Sequence, residues 1–425
     1  MVIHIVKLGD TLISIAAQYG VSPEILIANN MLPNPGNLVV GQSIVVLFPA
    51  TTHVVQVGDT LFSIARQYGT SMNMLYRNNI TLYGNPEITV GQTLVITYEG
   101  TPPYSFYAGG YAYPFIDKQL LNQSLPFMSH LMPFTYGFKP NGELVMLDDT
   151  ALIEAAYRYG TSPYMHLSTL TELGTFSSEL AAIILNDIKA QDVLINNILN
   201  AMKEKKYIGL DIDFEFIDAR NAQEYIVFIN KMTKIMNTNG YPVITALAPK
   251  ISDAQPGILY EGHEYAGIGA VSNYVLLMTY EWGYTYGPPM PVSPLPSIRK
   301  VLDYAVSRIS PLKIYMGISN YGYNWSLPFI QGKSKAESIS TNEAIEIAAK
   351  NNAVIQYDND AEAPYFKYTE YGVNHIVWFE DARSINAKLG LVNEYKFRGA
   401  LYWNLMRPNP QNLLVLNAQV NIRRW

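Results

Sequence analysis

The sequence contains no cysteine. That excludes disulfides, thiolate metal sites and cysteine nucleophiles together, and it fits a cytoplasm or an exported protein that avoids oxidative chemistry. Charge is also scarce: Asp, Glu, Lys and Arg make up 15% of the 425 residues, against roughly 25% in soluble domains generally. The net charge is −6, so nothing draws the chain to a phosphate backbone and no nucleic-acid partner is expected. With an apolar content of 49%, low charge argues against disorder. No run reaches the roughly 18 apolar residues of a membrane helix, and no membrane partner is expected. The opening MVIHIVKLGD lacks a basic segment followed by a long apolar run, so no secretory signal is read there. If the protein works outside a cytoplasm, release or assembly must carry it there.

Tyrosine is plentiful: 32 residues, beside Phe 15 and Trp 5. Tyrosine-rich, charge-poor surfaces suit neutral polar partners such as sugars, although tyrosine also fills cores. At about 100–200 residues per domain the length implies two to four domains, one of them large.

The first hundred residues repeat. His4 to Gly20 reads HIVKLGDTLISIAAQYG, and His53 to Gly69 reads HVVQVGDTLFSIARQYG. Asn29-Asn30 then matches Asn78-Asn79, and Gly41-Gln42 matches Gly91-Gln92. Each copy opens with a short β-branched strand. Gly-Asp-Thr predicts a turn and a helix cap, with Asp or Thr offering a side-chain oxygen to the first amides. Leu12, Ile15, Ala16 and Tyr19 have helical spacing, and Gly20 ends that helix. A second short helix runs to the Asn pair, and SIVVLF or TLVITY closes the unit as a strand. Both copies resemble LysM, a βααβ module that binds N-acetylglucosamine-containing glycans. The resemblance implies a groove between two loops, Gly9 to Leu12 with Asn30 to Gly36, and Gly58 to Leu61 with Asn79 to Pro86. Candidate glycan contacts are therefore Gly9, Asp10, Thr11, Leu12 and Asn30, with Gly58, Asp59, Thr60, Leu61 and Asn79, many acting through backbone. Pro49 and Glu99 to Pro103 read as linkers, so the modules are expected to add avidity as separable anchors.

From Tyr104 the texture changes. Eight strand candidates begin at Ser105, His130, Pro163, Ile208, Tyr241, Ser272, Lys313 and Phe397. Helical patterns lie between most of them, such as Ser177 to Lys203 and Ala222 to Asn237. This alternation predicts an α/β fold, a (β/α)8 TIM barrel preceded by the two small modules. Strand-like pieces and a helix from Thr341 to Asn351 predict an α+β lobe inserted before the last strand. The expected units are 1–48, 52–98 and 104–425, with the insertion at about 325–378.

The sharpest local pattern is IGLDIDFEF, residues 208–216. Strand side chains alternate, so Asp211, Asp213 and Glu215 share one face while Ile212, Phe214 and Phe216 take the other. Neighbouring carboxylates then stand about 6.6 Å apart. Buried charges are costly unless paired or useful. Crowding raises the pKa of at least one and leaves a proton donor near neutral pH. A solvated edge strand and a divalent-metal site are the rival readings; acid–base glycosidase chemistry is the preferred one.

Here the chain resembles glycoside hydrolase family 18, whose fourth-strand signature is DxxDxDxE. Asp211, Asp213 and Glu215 fill the last three acidic positions, and Ile208 stands at the first. Met278-Thr279-Tyr280 on the sixth strand and Ala400 to Trp403 on the eighth also fit, although Glu281 stands where the family usually has Asp. The resemblance, from roughly Tyr104 to Trp425, implies substrate-assisted, retaining hydrolysis of β-1,4-linked N-acetylglucosamine glycans, with no cofactor and no metal. It implies Glu215 as acid and base, Asp213 as stabiliser of the intermediate, Asp211 as its support and Tyr280 as the group orienting the acetamide. Trp403 would form the floor, with Met278 and Glu281 beside the substrate. Tandem LysM modules bring the architecture close to the spore-germination N-acetylglucosaminidases of bacilli. That implies peptidoglycan as partner, a place at the spore coat or cortex, and a monomer. A chitinase and a non-catalytic glycan-binding coat protein are the alternatives.

Three features read as bland. The six histidines have no ligand spacing, Gly109-Gly110 lacks a phosphate-loop pattern, and Lys203, Lys205 and Lys206 look like a solvated helix end.

Overall fold

A computed structural model describes residues 1–32, 34–170 and 176–424. Pro33, within the first expected glycan groove, and Trp425 lie outside the described residues.

In the first module Val2–Ile5 pairs antiparallel with Ser43–Val46, around helices Leu12–Tyr19 and Pro23–Asn30. In the second, Pro49–Val54 pairs with Thr93–Tyr98, around Leu61–Gln67 and Met72–Asn78. The repeated residues explain themselves. Thr11 Oγ1 accepts from the Ser14 N–H at 3.0 Å and Ser14 Oγ accepts from the Thr11 N–H at 2.9 Å; Thr60 and Ser63 do the same. Threonine thus carries the cap, and the aspartate before it closes the turn. Asp10 Oδ2 accepts from the Lys7 N–H at 2.7 Å and meets His4 Nε2 at 3.0 Å; Asp59 meets Gln56 and His53 at 2.7 and 2.8 Å. The other nitrogen of each histidine reaches the hydroxyl of Tyr19 or Tyr68 at 3.1 Å. Strand, turn and helix are pinned by one histidine per module.

Pro49, expected in a linker, instead opens a strand opposite Tyr98, so the two modules abut. Proline is tolerated as the first residue of such a strand.

The barrel closes from eight parallel strands. They are Tyr104–Ala112, His130–Pro133, Ser162–Ser168, Gly209–Asp213, Val243–Leu247, Tyr274–Leu277, Ile314–Ser319 and Gly399–Trp403, with the last pairing back onto the first at Gly399 and Tyr107. Helices between strands cover the outside, among them Ser178–Asn186, Ile188–Lys205 and Ala222–Thr238. The Gly109-Gly110 pair is explained by closure: a Cβ on Gly109 would stand 2.7 Å from Leu401 Cδ2, and one on Gly110 would stand 2.8 Å from Leu405. The tyrosine excess is largely internal. Tyr136, Tyr164, Tyr207, Tyr225, Tyr265, Tyr315 and Tyr402 are among the largest fully buried side chains, so composition misplaced much of it on the surface.

The inserted lobe starts directly after strand seven, at Tyr321, four residues before the expected 325. Its antiparallel sheet holds Tyr321–Leu327, Glu337–Ser340, Gln356–Asp358, Ala363–Glu370 and Val373–Trp378, with helix Thr341–Lys350 against it. Of the three lysines read as a solvated helix end, Lys203 and Lys206 are exposed and Lys205 is not free: its ammonium bonds Asp149 Oδ1 at 2.6 Å and the Leu147 carbonyl at 2.8 Å.

The modules are not separable anchors. Val45 and Leu47 of the first module and Leu61, Leu75 and Leu94 of the second belong to the same apolar core as the barrel helices. The last helix, Pro410–Gln419, is buried over Pro410 to Asn417. A helix covered on every side must have a neighbour on every side, and here those are the barrel and both modules. Gln411 Nε2 donates to the Ser43 carbonyl at 2.7 Å and to Asn30 Oδ1 at 3.1 Å. Asn417 Oδ1 accepts from buried Arg77 Nε at 3.0 Å, and its Nδ2 donates to Asn78 Oδ1 at 2.9 Å. The first module also meets the inserted lobe, where the Ile355 N–H donates to the Val40 carbonyl at 2.9 Å. Gly41 makes that approach possible: its φ is +88°, and a Cβ there would stand 1.8 Å from Ile355 O.

Candidate active site

Strand four ends at Asp213, earlier than the sequence alternation. Ile212 and Phe214 are buried on the outer side, where Phe214 stacks on Tyr225 and Phe228 of the following helix at 5.7 and 5.6 Å. Phe216, expected with them, is not on that face. Its φ is +55°, the chain has turned, and its ring lies 6.4 Å from Phe176. Asp211 and Asp213 point into the barrel, and Glu215 stands just past the C-terminal end of the strand.

The three carboxyls differ by depth. Asp211 is fully buried, and its Oδ2 accepts from the Tyr111 hydroxyl at 2.7 Å. Burial raises its pKa to about 6, against the opposing pull of His166 and of the Tyr111 hydrogen bond. Asp213 is next, almost fully buried, and lines a cleft of about 470 Å³ that Glu215 shares. Burial, then the charges of Asp213 and Glu281, raise the Glu215 pKa well above the ordinary carboxyl range. A carboxyl kept protonated in the cleft is what proton donation near neutral pH requires.

Strand six ends at Leu277, so Met278, Tyr280 and Glu281 sit on the loop beyond it and line the same cleft. Tyr280 faces the carboxyls; burial and then the charge of Asp213 hold its hydroxyl protonated. Glu281 has a φ of +66°, a left-handed conformation unusual for a side-chain-bearing residue. Its carboxylate is gripped by the hydroxyls of Tyr321 and Tyr323 from the inserted lobe, the latter at 3.0 Å. Glu281 is thus a fixed part of the cleft wall rather than a loose rim acid. Trp403, at the end of strand eight, packs within 4.9 Å of Phe134 and 5.5 Å of Tyr111. The peptide bonds Phe134–Thr135 and Trp403–Asn404 are cis.

Several residues were not singled out from sequence: Tyr111, Phe134, His166, Tyr321 and Tyr323. His166 carried a readable signal. It sits mid-strand in PYMHLST with the same parity as Tyr164, and it is the register partner of Asp211.

In the modules, the expected glycan contacts fall into two groups. Leu12 and Leu61 are buried core side chains. Asn30 and Asn79 are also withdrawn from any groove. Asn30 donates to the Leu26 and Val45 carbonyls at 3.0 and 2.8 Å and accepts from the Val45 N–H at 2.8 Å; Asn79 repeats this with Leu75 and Val95, every distance 2.8 Å. Their side chains splice helix to strand and leave no polar atom for a sugar. Thr11, Thr60, Asp10 and Asp59 are occupied by the caps and turns above. Gly9 and Gly58 stay open, and beside them project Leu8 (93% exposed) and Ile13 (72%), and Val57 (89%) and Phe62 (66%), which sequence reasoning passed over.

Comparison with known proteins gives the family. Residues 127–407 match the family Glycosyl hydrolases family 18, and residues 4–46 and 53–97 match the LysM domain. The chain is 40% identical to the cortical fragment-lytic enzyme of Bacillus subtilis (strain 168), covering 99% of each chain. It is 38% identical to the enzyme of the same name from Bacillus anthracis, covering 98% of each. The crystal structure of the Bacillus megaterium QM B1551 spore cortex-lytic enzyme SleL superposes with a TM-score of 0.85 at 37% identity, covering 100% of this chain and 99% of the other. The family-model match over residues 127–407 and the identity to full-length relatives place this chain, a closed barrel with an acidic strand end and two fused LysM domains, in glycosyl hydrolase family 18, as a glycoside hydrolase.

Proposed function

We propose that this glycosidase cleaves β-1,4-linked N-acetylglucosamine glycans with retention, that its substrate is spore cortex peptidoglycan, and that it works at the spore. The observation that carries this reading is the placement of Asp213, Glu215, Tyr280 and Trp403 around one cleft, with Asp211 behind them. The names of its full-length relatives support the cortex as substrate.

Glu215, kept protonated by burial and by neighbouring negative charge, gives its proton to the glycosidic oxygen. The carbonyl oxygen of the substrate's own 2-acetamido group attacks C1, the bond to the leaving oxygen breaks, and a cyclic oxazolinium forms. Asp213 accepts a hydrogen bond from the acetamido N–H and balances the developing positive charge. Asp211, buried and held by the Tyr111 hydroxyl, supports Asp213 from behind. Tyr280 donates its hydroxyl to the acetamido carbonyl and aims it at C1. Glu215, now ionised, takes a proton from water as that water attacks C1, which restores the acid and gives overall retention. Trp403 underlies the sugar ring. Gly9 and Gly58, with the exposed apolar side chains beside them, offer the modules' contact to the glycan strand.

The test is digestion of purified cortex fragments and soluble chitooligosaccharides side by side, with mass analysis of the new ends. Release of N-acetylglucosamine reducing ends from cortex fragments is expected. Cleavage of chitooligosaccharides alone would make the protein a chitinase. No new ends from either substrate across pH 4–8 would leave a glycan-binding protein.

A further inference from the structure

His166 lies on strand three, beside Asp211 on strand four, and is 1% exposed. Its Nδ1 is 2.6 Å from Thr135 Oγ1. That hydroxyl owns one proton and lies 3.1 Å from the Tyr136 carbonyl and 3.0 Å from Ser168 Oγ. The His166 carbonyl lies 3.4 Å from it as well; carbonyls only accept, and with the Thr135 proton directed to one of them its oxygen accepts from a protonated Nδ1. The second nitrogen, Nε2, makes no hydrogen bond, yet it stands 3.7 Å from Asp211 Oδ2 and 3.7 Å from Asp213 Oδ2.

A neutral ring would aim a lone pair at two carboxylates inside a closed barrel, which costs energy and gains nothing. A carboxylic acid bonded to Nε2 would pull one oxygen to roughly 2.7–3.0 Å and leave the other behind. Equal distance from both fits a cation between two anions. The surroundings suit one: the ring of Phe134 lies 4.8 Å away at a shallow 31°, and Tyr111 is edge-on at 5.3 Å. The titratable groups facing this cluster are Tyr111 from strand one, Asp211, Asp213 and Glu215 from strand four and its end, Tyr225 from the helix that follows, His263 from the loop after strand five, and Tyr280 from the loop after strand six. The three tyrosines are held protonated by burial, and burial also holds His263 below the ordinary imidazole range.

We infer that His166 is a positioning residue that carries protons on both ring nitrogens and, as a buried cation, keeps Asp213 ionised for the reacting acetamide. The inference rests on the role proposed above for Asp213. The sign follows from the charges. Without the imidazolium, Asp211 and Asp213 are two like charges in a dry site, and the pair takes up a proton at higher pH. The acid limb of the rate profile then moves upward.

The test compares kcat/KM from pH 4 to 8 on soluble cortex fragments for the parent, His166→Gln and Asp213→Asn. Glutamine can still reach Thr135 but cannot become a cation. The acid limb of His166→Gln is expected about one pH unit higher, a loss of roughly 10-fold at pH 5 that shrinks toward pH 7. No loss, or one equal at every pH, overturns the inference. Should His166→Gln fail to fold, the parent labelled with 15N-histidine decides. Its resonances are assigned by substituting the other five histidines in turn. Both His166 ring nitrogens protonated at pH 6.5 is the expected result, and an unprotonated Nε2 overturns it. If Asp213→Asn cleaves like the parent, the proposed mechanism fails. If Asp213→Asn is dead and His166→Gln keeps the parent's acid limb, only the role of His166 fails.

Discussion

Tyr323 Oη donates to the Glu281 carboxylate at 3.0 Å, and this bond ties the loop after strand six to the inserted lobe. The carboxylate so held is one of the charges that raise the pKa of Glu215. Glu281→Gln removes that charge and leaves a side chain of the same shape. The Glu215 pKa then falls, its acid form is lost at lower pH, and the basic limb of kcat/KM moves down. A pH–rate profile of the variant with an unmoved basic limb would show that burial and Asp213 alone set the acid.

Glu215→Gln keeps the shape and a hydrogen-bond donor but has no proton to transfer. General acid catalysis contributes on the order of 10²–10⁴-fold, and turnover on cortex fragments is expected to fall by at least that much. Binding is expected to survive, since Asp213, Tyr280, Trp403 and the modules remain. Reducing-end assays beside co-sedimentation with cortex separate the two effects.

Substrate assistance makes the acetyl group a reactant. A glucosamine unit lacking it at the cleavage position is expected to resist hydrolysis, and a thiazoline analogue of the cyclic intermediate is expected to inhibit. Rapid cleavage of the de-acetylated glycan would point to a nucleophile on the protein.

The mechanism moves a proton from Glu215 to the glycosidic oxygen and back from water, and needs no metal ion. Among the described residues no cluster of three or more His, Asp or Glu is placed to hold one. Activity on cortex fragments is expected to be unchanged by EDTA. A loss restored by one divalent ion would revive the metal reading of the acidic strand.

Asn79 gives a stability test. Its three hydrogen bonds all go to buried backbone of the second module. Asn79→Ala strands those groups and is expected to cost about 1–3 kcal/mol, read by thermal or denaturant unfolding. An unchanged midpoint would mean the groups find other partners.

The eight barrel strands were legible because each is a short apolar run set between helical patterns. Their ends were not. The alternation of strand four runs on to Phe216 in sequence, but the chain turns after Asp213 because loops from several strands must share the barrel mouth. Glu281 was legible as an acid and illegible as a fixed one, since Tyr321 and Tyr323 lie in an insertion whose start was read too late. His166 was passed over with the other histidines for want of ligand spacing, because its partners lie on the next strand. Asn30 and Asn79 were read as sugar contacts because the LysM resemblance places a groove at their loops, and sequence does not show that their side chains turn to their own backbone. The linkers misled for a further reason: proline marks a break in periodicity, and the packing that bridges the break comes from Pro410–Gln419, at the far end of the chain.

That last helix makes the order of synthesis matter. The two modules leave the ribosome before the barrel, with apolar faces that stay uncovered until Pro410 to Asn417 arrives. Contacts between residues so far apart in sequence are slow to form, and the exposed faces in the meantime invite aggregation. A chain that stops short of residue 410 leaves Ser43, Arg77 and Asn78 without their partners on that helix. An incomplete copy is therefore a substrate for quality control before it can be a misplaced lytic enzyme.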